Sequence, residues 1–250
     1  PNKIHQAAAT CASSDGPDWS LGERVNILLM GVDRRPEEKM DDPVRTDTMM
    51  VVSIDPNTHT ASMLGIPRDL WVPIPLPNNG VLHDRINTAN VYGVLRNLPG
   101  GGPQLAKDTV SYNLGVKIHY FVMLDFQGFR NIIDTLGGID VRVDKAVIDY
   151  EYPTDDYGYM TVNIPAGDQH LDGEHALQYA RSRHADSDFG RMKRQQQVIL
   201  SAREKALRLD MLPKLPSLWG QFKDSIRTDM GLGDILAVAK AAKEVKSEDI

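Results

Sequence analysis

Arginines and carboxylates recur in this chain beside apolar runs, in four short polar segments. The first, Gly31-Val32-Asp33-Arg34-Arg35, follows the run from Val25 to Met30. Ligands in open α/β sheets sit beyond the carboxyl ends of strands, so Asp33 stands where a site is expected. The second, Arg45-Thr46-Asp47, leads into the next apolar run. Residues two apart on a strand share a face, which would bring Arg45 and Asp47 into one pocket. There the carboxylate can hold Mg²⁺ while the guanidinium takes a phosphate oxygen; the plain alternative is a surface ion pair worth little. The third segment, Pro67-Arg68-Asp69, puts Arg68 at a strand tip, with Arg85 a short loop beyond.

The fourth segment is the longest and gathers Arg181, Arg183, Asp188, Arg191, Arg194 and Gln195. If the chain is extended there, Arg181 and Arg183 share a strand face. Arg191, Arg194 and Gln195 share a helix face, and Gly190 is read as opening that helix with its amides toward an anion. Guanidinium suits phosphate because its planar fork binds two oxygens and keeps its charge. The bland reading, a solvated basic helix, is preferred for Lys193 but not for Arg181, Arg183 and Arg191.

These segments need strands and helices to hold them. Val25–Met30, Thr48–Ile54 and Ala61–Ile66 read as three close-spaced strands, with Asp55-Pro56-Asn57 as a turn. Asn87–Leu95 and Gly102–Leu114 read as helices, then Tyr120–Phe126 as strand and Phe126–Leu136 as a helix ended by Gly137-Gly138. Ile139–Val143 is a short alternating strand, and 149–167 an acidic, aromatic loop or hairpin. A short helix, Gly173–Tyr179, precedes the arginines and a long one, Gly190–Leu209, follows them. Two more helices are expected beyond Pro213 and Pro216, the last near Leu232–Val245. Mixed elements without a central break predict a single α/β domain over 23–250, preceded by a polar tail or linker over 1–22. Apolar residues such as Phe121, Leu124, Phe126, Phe129, Ile132, Ile133 and Leu136 are read as core rather than site.

Composition excludes several functions. The formal net charge is -6, against general binding to nucleic acid. Cys11 is the single cysteine, so no disulfide forms within the chain, and its polar surroundings make it a tail residue. The histidines lack zinc spacing. No run of about 18 apolar residues is present to span a membrane.

Taken together, in order, the segments resemble the LytR-CpsA-Psr family of cell-envelope phosphotransferases. The resemblance rests on Asn26–Arg35, Arg45–Met50, Ile66–Asp69, Arg85–Asn87, Leu136–Ile139 and Leu171–Arg183 continuing to Asp188–Arg191 and Arg194–Gln196, within residues 24 to 250. It implies a three-layer α/β/α fold around a mixed central sheet, with an apolar tunnel for a polyprenyl chain. It also implies transfer of a glycopolymer from a polyprenyl pyrophosphate carrier to peptidoglycan, with Mg²⁺, on the extracytoplasmic face of the cytoplasmic membrane. The resemblance further implies tethering to that membrane through an anchor outside this chain. Older names call such proteins transcriptional attenuators, but nothing here reads as a DNA-binding element.

The resemblance assigns roles residue by residue. Asp33 and Asp47 match metal-binding aspartates; Arg45, Arg68, Arg181, Arg183, Arg191 and Gln195 match pyrophosphate ligands. Asp188 matches an acidic position near the phosphates. Asp33, Asp47, Arg68 and Asp188 are thus the candidates for catalysis, with Asp33 as a base if metal does not claim it. Arg85, counted among the phosphate ligands, replaces a usual lysine; Gly65 replaces a common serine; and the 97–103 loop is longer than usual. Two rival readings remain: a non-catalytic module that binds polyprenyl phosphates, and a hydrolase that gives the lipid pyrophosphate to water.

Overall fold

A computed structural model describes residues 23–34, 42–154, 158–183, 187–208 and 225–250. The predicted tail over 1–22, with Cys11, lies outside them, as do Arg35 and any helix between 209 and 224.

The center is a mixed sheet of five strands in the order β11-β6-β1-β2-β3. These are β1 (Val25–Val32), β2 (Thr46–Asp55), β3 (Thr60–Gly65), β6 (Tyr120–Asp125) and β11 (Ile226–Thr228). β1 runs parallel to β6 and antiparallel to β2. The parallel pair brings two carboxyl ends to one edge, after Val32 and after Asp125. At the far end of β2, Asp55 Oδ1 accepts the amides of Asn57 and Thr58 at 3.0 and 3.3 Å, closing the predicted turn.

Alternation along the strands separates the two faces of the sheet. Leu28, Met30, Val32, Phe121 and Met123 face one way and pack on α1 (Ala89–Leu95), α2 (Gly101–Leu114) and a ribbon of β4 (Trp71–Leu76) and β5 (Gly80–Arg85). Val25, Ile27 and Tyr120 face the other way, against Ala241 and Val245 at the end of α6 (Leu232–Glu244). Beyond that contact, on the same side, lies a second core. It joins α3 (Phe126–Thr135), α4 (Gly173–Arg181) and α5 (Asp188–Arg208) to the paired strands β7 (Ile139–Val143) with β10 (Gly167–Leu171) and β8 (Val147–Pro153) with β9 (Tyr159–Ile164). The expected α/β/α layering is therefore present.

Local chemistry sets the ends of the helices that frame the site. Asp125 caps α3, accepting the Gly128 amide at 2.7 Å. At its other end Gly138 has φ 81°, and a Cβ there would stand 2.5 Å from His170 Nε2, so glycine is required. Asp172 caps α4 through the His175 amide at 2.9 Å.

Some expectations are corrected. Arg181 ends α4 and Arg183 lies just beyond it, so the two do not share a strand face. α5 begins at Asp188 rather than Gly190, and the Gly190 amide donates to Ser187 Oγ at 3.3 Å. The Arg191 amide likewise donates to the Ser187 carbonyl at 3.0 Å, so both of these amides are engaged by the chain itself. β4, β5, β10 and β11 were not anticipated. Pro73 and Pro75 in β4 argued against strand, yet a two-stranded ribbon tolerates them because each strand has an unpaired edge.

Candidate functional site

A cavity of about 200 Å³ opens where β1 and β6 end, between the sheet and helices α3, α4 and α5. Its inner wall is apolar, with Leu29, Val122, Leu124, Phe126, Phe129 and Val198 among the lining residues. Its polar lining comprises Asp47, Thr48, Asp125, Arg181, Arg183, Arg191 and Gln195. Of the apolar residues read as core from the sequence, Leu124, Phe126 and Phe129 line this cavity instead. Phe121, Ile133 and Leu136 are buried as predicted.

The arginines come from the junction between two helices. Arg181 at the end of α4 stacks on the Phe126 ring at 4.2 Å and lies 5.5 Å from the Tyr152 ring. Its Nη2 donates to Asp33 Oδ2 at 2.7 Å. Burial pushes the Tyr152 phenol up, against the pull of Arg181. Arg183 follows, with Nη2 3.5 Å from Asp47 Oδ2. Burial lowers its pKa, and the nearby cations Arg68, Arg191 and Arg181 push it the same way against Asp47. A positive site short of counter-charge favors an anion. Arg191, buried in the first turn of α5, pairs with Asp188 at 3.0 Å. Gln195, one turn on, donates to Thr48 Oγ1 at 3.2 Å and to the Ala180 carbonyl at 3.3 Å.

A chain of ion pairs leads outward from Asp47. Its Oδ1 is 3.1 Å from Arg68 Nη1, Arg68 Nε is 3.3 Å from Asp69 Oδ2, and Asp69 Oδ1 is 3.3 Å from Arg85 Nη1. Of the residues singled out from the sequence, Asp47, Arg181, Arg183, Arg191 and Gln195 line the cavity, while Asp33, Arg68, Asp188 and Arg85 are tied to it through these pairs. Arg45 is the exception. β2 begins at Thr46, so Arg45 precedes the strand, stays exposed, and the shared pocket expected with Asp47 does not form. Asp47 turns to Arg68 and Arg183 instead.

Two supporting residues, Asp149 and Asp125, escaped the sequence reading, and Arg194 has another part than the one read for it. Asp149, buried in β8, accepts the Arg183 amide at 3.0 Å and the Glu151 amide at 3.1 Å, fixing the backbone that carries Arg183. Asp125, also buried, holds both the α3 amides and the Arg34 guanidinium, next in the chain to Asp33. Arg194 is buried and donates to the carbonyls of Tyr179 and Ser182, so it ties α5 to the end of α4 rather than serving a ligand. A strand-ending aspartate before a helix is a cap signal, which could have found Asp125. Gly65, noted as a departure, has a local cause: a Cβ there would stand 2.9 Å from Met192 Sδ, so its absence lets α5 lie close to β3.

Asp33 and Asp47 offer the hard oxygen donors that Mg²⁺ prefers. Among the described residues no group of three carboxylate, histidine or cysteine side chains could hold an ion unaided. Mg²⁺ usually takes one or two carboxylates and completes its shell with water and substrate phosphate, and the pair fits that habit.

The chain is similar to known proteins. The LytR_cpsA_psr family model matches residues 2–250. The polyisoprenyl-teichoic acid–peptidoglycan teichoic acid transferase TagU of Oceanobacillus iheyensis is 36% identical over 212 residues, covering 84% of this chain. The chain spans 60% of that relative's length. The crystal structure of Bacillus subtilis TagV has a TM-score of 0.70 at 28% identity, covering 92% of this chain and 83% of that one. A structure of TagT bound to LI-WTA has a TM-score of 0.71 at 27% identity, covering 92% and 78%.

Proposed function

We propose, for a chain that belongs to the LytR_cpsA_psr family, that it transfers a glycopolymer from a polyprenyl pyrophosphate to a cell-wall acceptor, most directly peptidoglycan. The observation carrying this reading is one cavity with an apolar interior and a lining that includes Arg181, Arg183 and Arg191. An isoprenoid tail gains about 0.8 kcal/mol per buried CH₂ in such an interior, while the guanidinium groups bind phosphate oxygens in bidentate fashion. The TagU relative, named a teichoic acid–peptidoglycan transferase, supports the same substrate class.

In the proposed reaction an acceptor hydroxyl attacks the sugar-bearing phosphorus. The new bond is the phosphodiester, the bond to the bridging oxygen breaks, and polyprenyl phosphate leaves. Arg181, held between Asp33 and the Phe126 ring, is preorganized to stabilize charge on the leaving phosphate, with Arg183 and Arg191 beside it. The hydroxyl proton goes to a carboxylate. Both oxygens of Asp47 already face arginines, whereas Asp33 engages Arg181 through Oδ2, which makes Asp33 the better acceptor through an oxygen that metal does not claim. Asp188 holds Arg191 in place. Asp33 and Asp47 would hold Mg²⁺, which when bound supplies charge neutralization for the pyrophosphate. The reaction is placed on the extracytoplasmic membrane face, where its lipid carrier and wall acceptor meet.

Incubation with a defined polyprenyl-pyrophosphoryl saccharide, Mg²⁺ and peptidoglycan fragments, followed by mass analysis, tests the proposal. Saccharide joined to the fragment with release of polyprenyl phosphate is expected. Release of free saccharide phosphate alone would replace the transferase by a hydrolase, and lipid binding without bond cleavage by a binding module.

A further inference from the structure

The ribbon of β4 and β5 packs one face and on the other leaves Trp71, Val81, His83 and Arg85 exposed, with Pro73 and Pro75 half-buried among them. Val72 and Ile74 are buried in the core on α2, and Leu82 is partly buried against it. The opposite face shows three cross-strand pairs: Trp71 with Arg85, Pro73 with His83, and Pro75 with Val81. Trp71 is 65% exposed and Val81 49%. A tryptophan left this open forfeits one of the largest burial gains available to a side chain, so its exposure calls for a ligand.

The position of the ribbon and its chemistry say which ligand. Arg85, opposite Trp71, closes the chain of ion pairs that runs through Asp69 and Arg68 to Asp47 in the cavity lining. This outer face is thus continuous with the candidate reaction site, and leads outward from it over about 13 Å along the strand. In two of the three pairs an apolar ring stands beside a hydrogen-bonding side chain, the indole of Trp71 with Arg85 and the pyrrolidine of Pro73 with His83. A lipid surface or a second copy of the chain would favor unbroken apolar area. A sugar chain has apolar C–H faces edged by hydroxyl groups, and those C–H groups are attracted to the negative face of an indole.

We infer that the outer face of the β4–β5 ribbon binds the glycan strand of the acceptor, with Trp71 as its stacking platform and the strand directed toward the arginine cluster. The inference rests on the transferase reading for the identity of the acceptor, but its test does not require turnover. Binding of short, amidase-stripped peptidoglycan strands to the full chain is measured by calorimetry for wild type, Trp71→Ala, Trp71→Phe and His83→Ala. Wild type is expected to bind, Trp71→Ala to bind about tenfold more weakly, and Trp71→Phe to fall between them. Melting curves for each variant report folding, and affinity for a short polyprenyl monophosphate reports the cavity. Equal glycan affinity in wild type and Trp71→Ala, or no glycan binding by wild type, overturns the inference. So does a Trp71→Ala change confined to self-association or to vesicle binding. Failure of wild type to bind the lipid phosphate would instead strike the reading of the cavity, leaving the glycan comparison to decide the ribbon.

Discussion

The two faces of the central sheet are built from the same strands and put to opposite uses. Toward α1 and α2, Leu28, Met30, Val32 and Met123 are at most 2% exposed, and a buried cation there, Lys107, is matched by Asp229 at 2.7 Å and the His119 carbonyl at 2.8 Å. Toward α3, α4 and α5, the alternate residues Leu29, Val122 and Leu124 line a cavity, and the cations beside it crowd one another. One face seals its apolar side chains and seats its cation on a carboxylate and a carbonyl; the other leaves apolar surface open beside a cluster of arginines. A fold stable enough on one side can leave a site unsatisfied on the other, ready for a ligand that is greasy at one end and anionic at the other.

The largest expected effect falls on the open face. Arg181→Ala removes a stacked, ion-paired guanidinium, and transfer should fall about 10³-fold in single-turnover assays. The melting temperature should move little, since one side of Arg181 faces the cavity.

Next comes a matched pair that sets one face against the other. Leu28→Ala on the sealed face should cost about 2–5 kcal/mol in denaturant unfolding, because it opens a void in close-packed surroundings. Leu124→Ala beside the cavity should cost about 1 kcal/mol, since that space is already open. Equal losses would mean the faces are packed alike.

Smaller still, Asp172→Ala should cost about 1 kcal/mol by uncapping α4, the helix that delivers Arg181. The His175 amide holds the Asp172 carboxyl below its ordinary value of 3.8, so its contribution is present at neutral pH and is lost as pH falls through that range. The wild-type advantage over Asp172→Ala should therefore vanish in strong acid.

The smallest effect has the opposite sign. Arg183→Gln should slightly stabilize the ligand-free protein by relieving repulsion from Arg68, Arg191 and Arg181, an effect kept small by the exposure of that guanidinium, while weakening phosphate binding. A melting curve with and without inorganic pyrophosphate checks both halves.

Elements with strong patterns were legible in the sequence. The apolar run of β1, interrupted at Asn26, matches a strand covered on both faces, and the alternation of Ile139–Val143 matches β7 residue for residue. β4 hid behind two prolines. Arg181 and Arg183 look alike in sequence, yet a helix end falls between them, and only the packing of α4 against α5 decides where. The arginines and aspartates were found because charged residues beside strands are conspicuous, and their family order gave them roles. Asp149 and Asp125 were not read as supports because their partners, the amides of Arg183 and Gly128 and the Arg34 side chain, are settled by tertiary structure. Arg45 shows the converse: spacing alone promised a shared pocket, but the strand begins one residue too late.

The reading of the cavity as a seat for an isoprenoid phosphate is tested most directly by the affinity of polyprenyl monophosphates of increasing chain length, for wild type and Arg181→Ala. Affinity should rise steeply over the first isoprene units and level off once the cavity is filled, with the Arg181→Ala curve displaced to weaker binding by a constant factor. Affinity independent of chain length, or coincident curves for the two proteins, would contradict it.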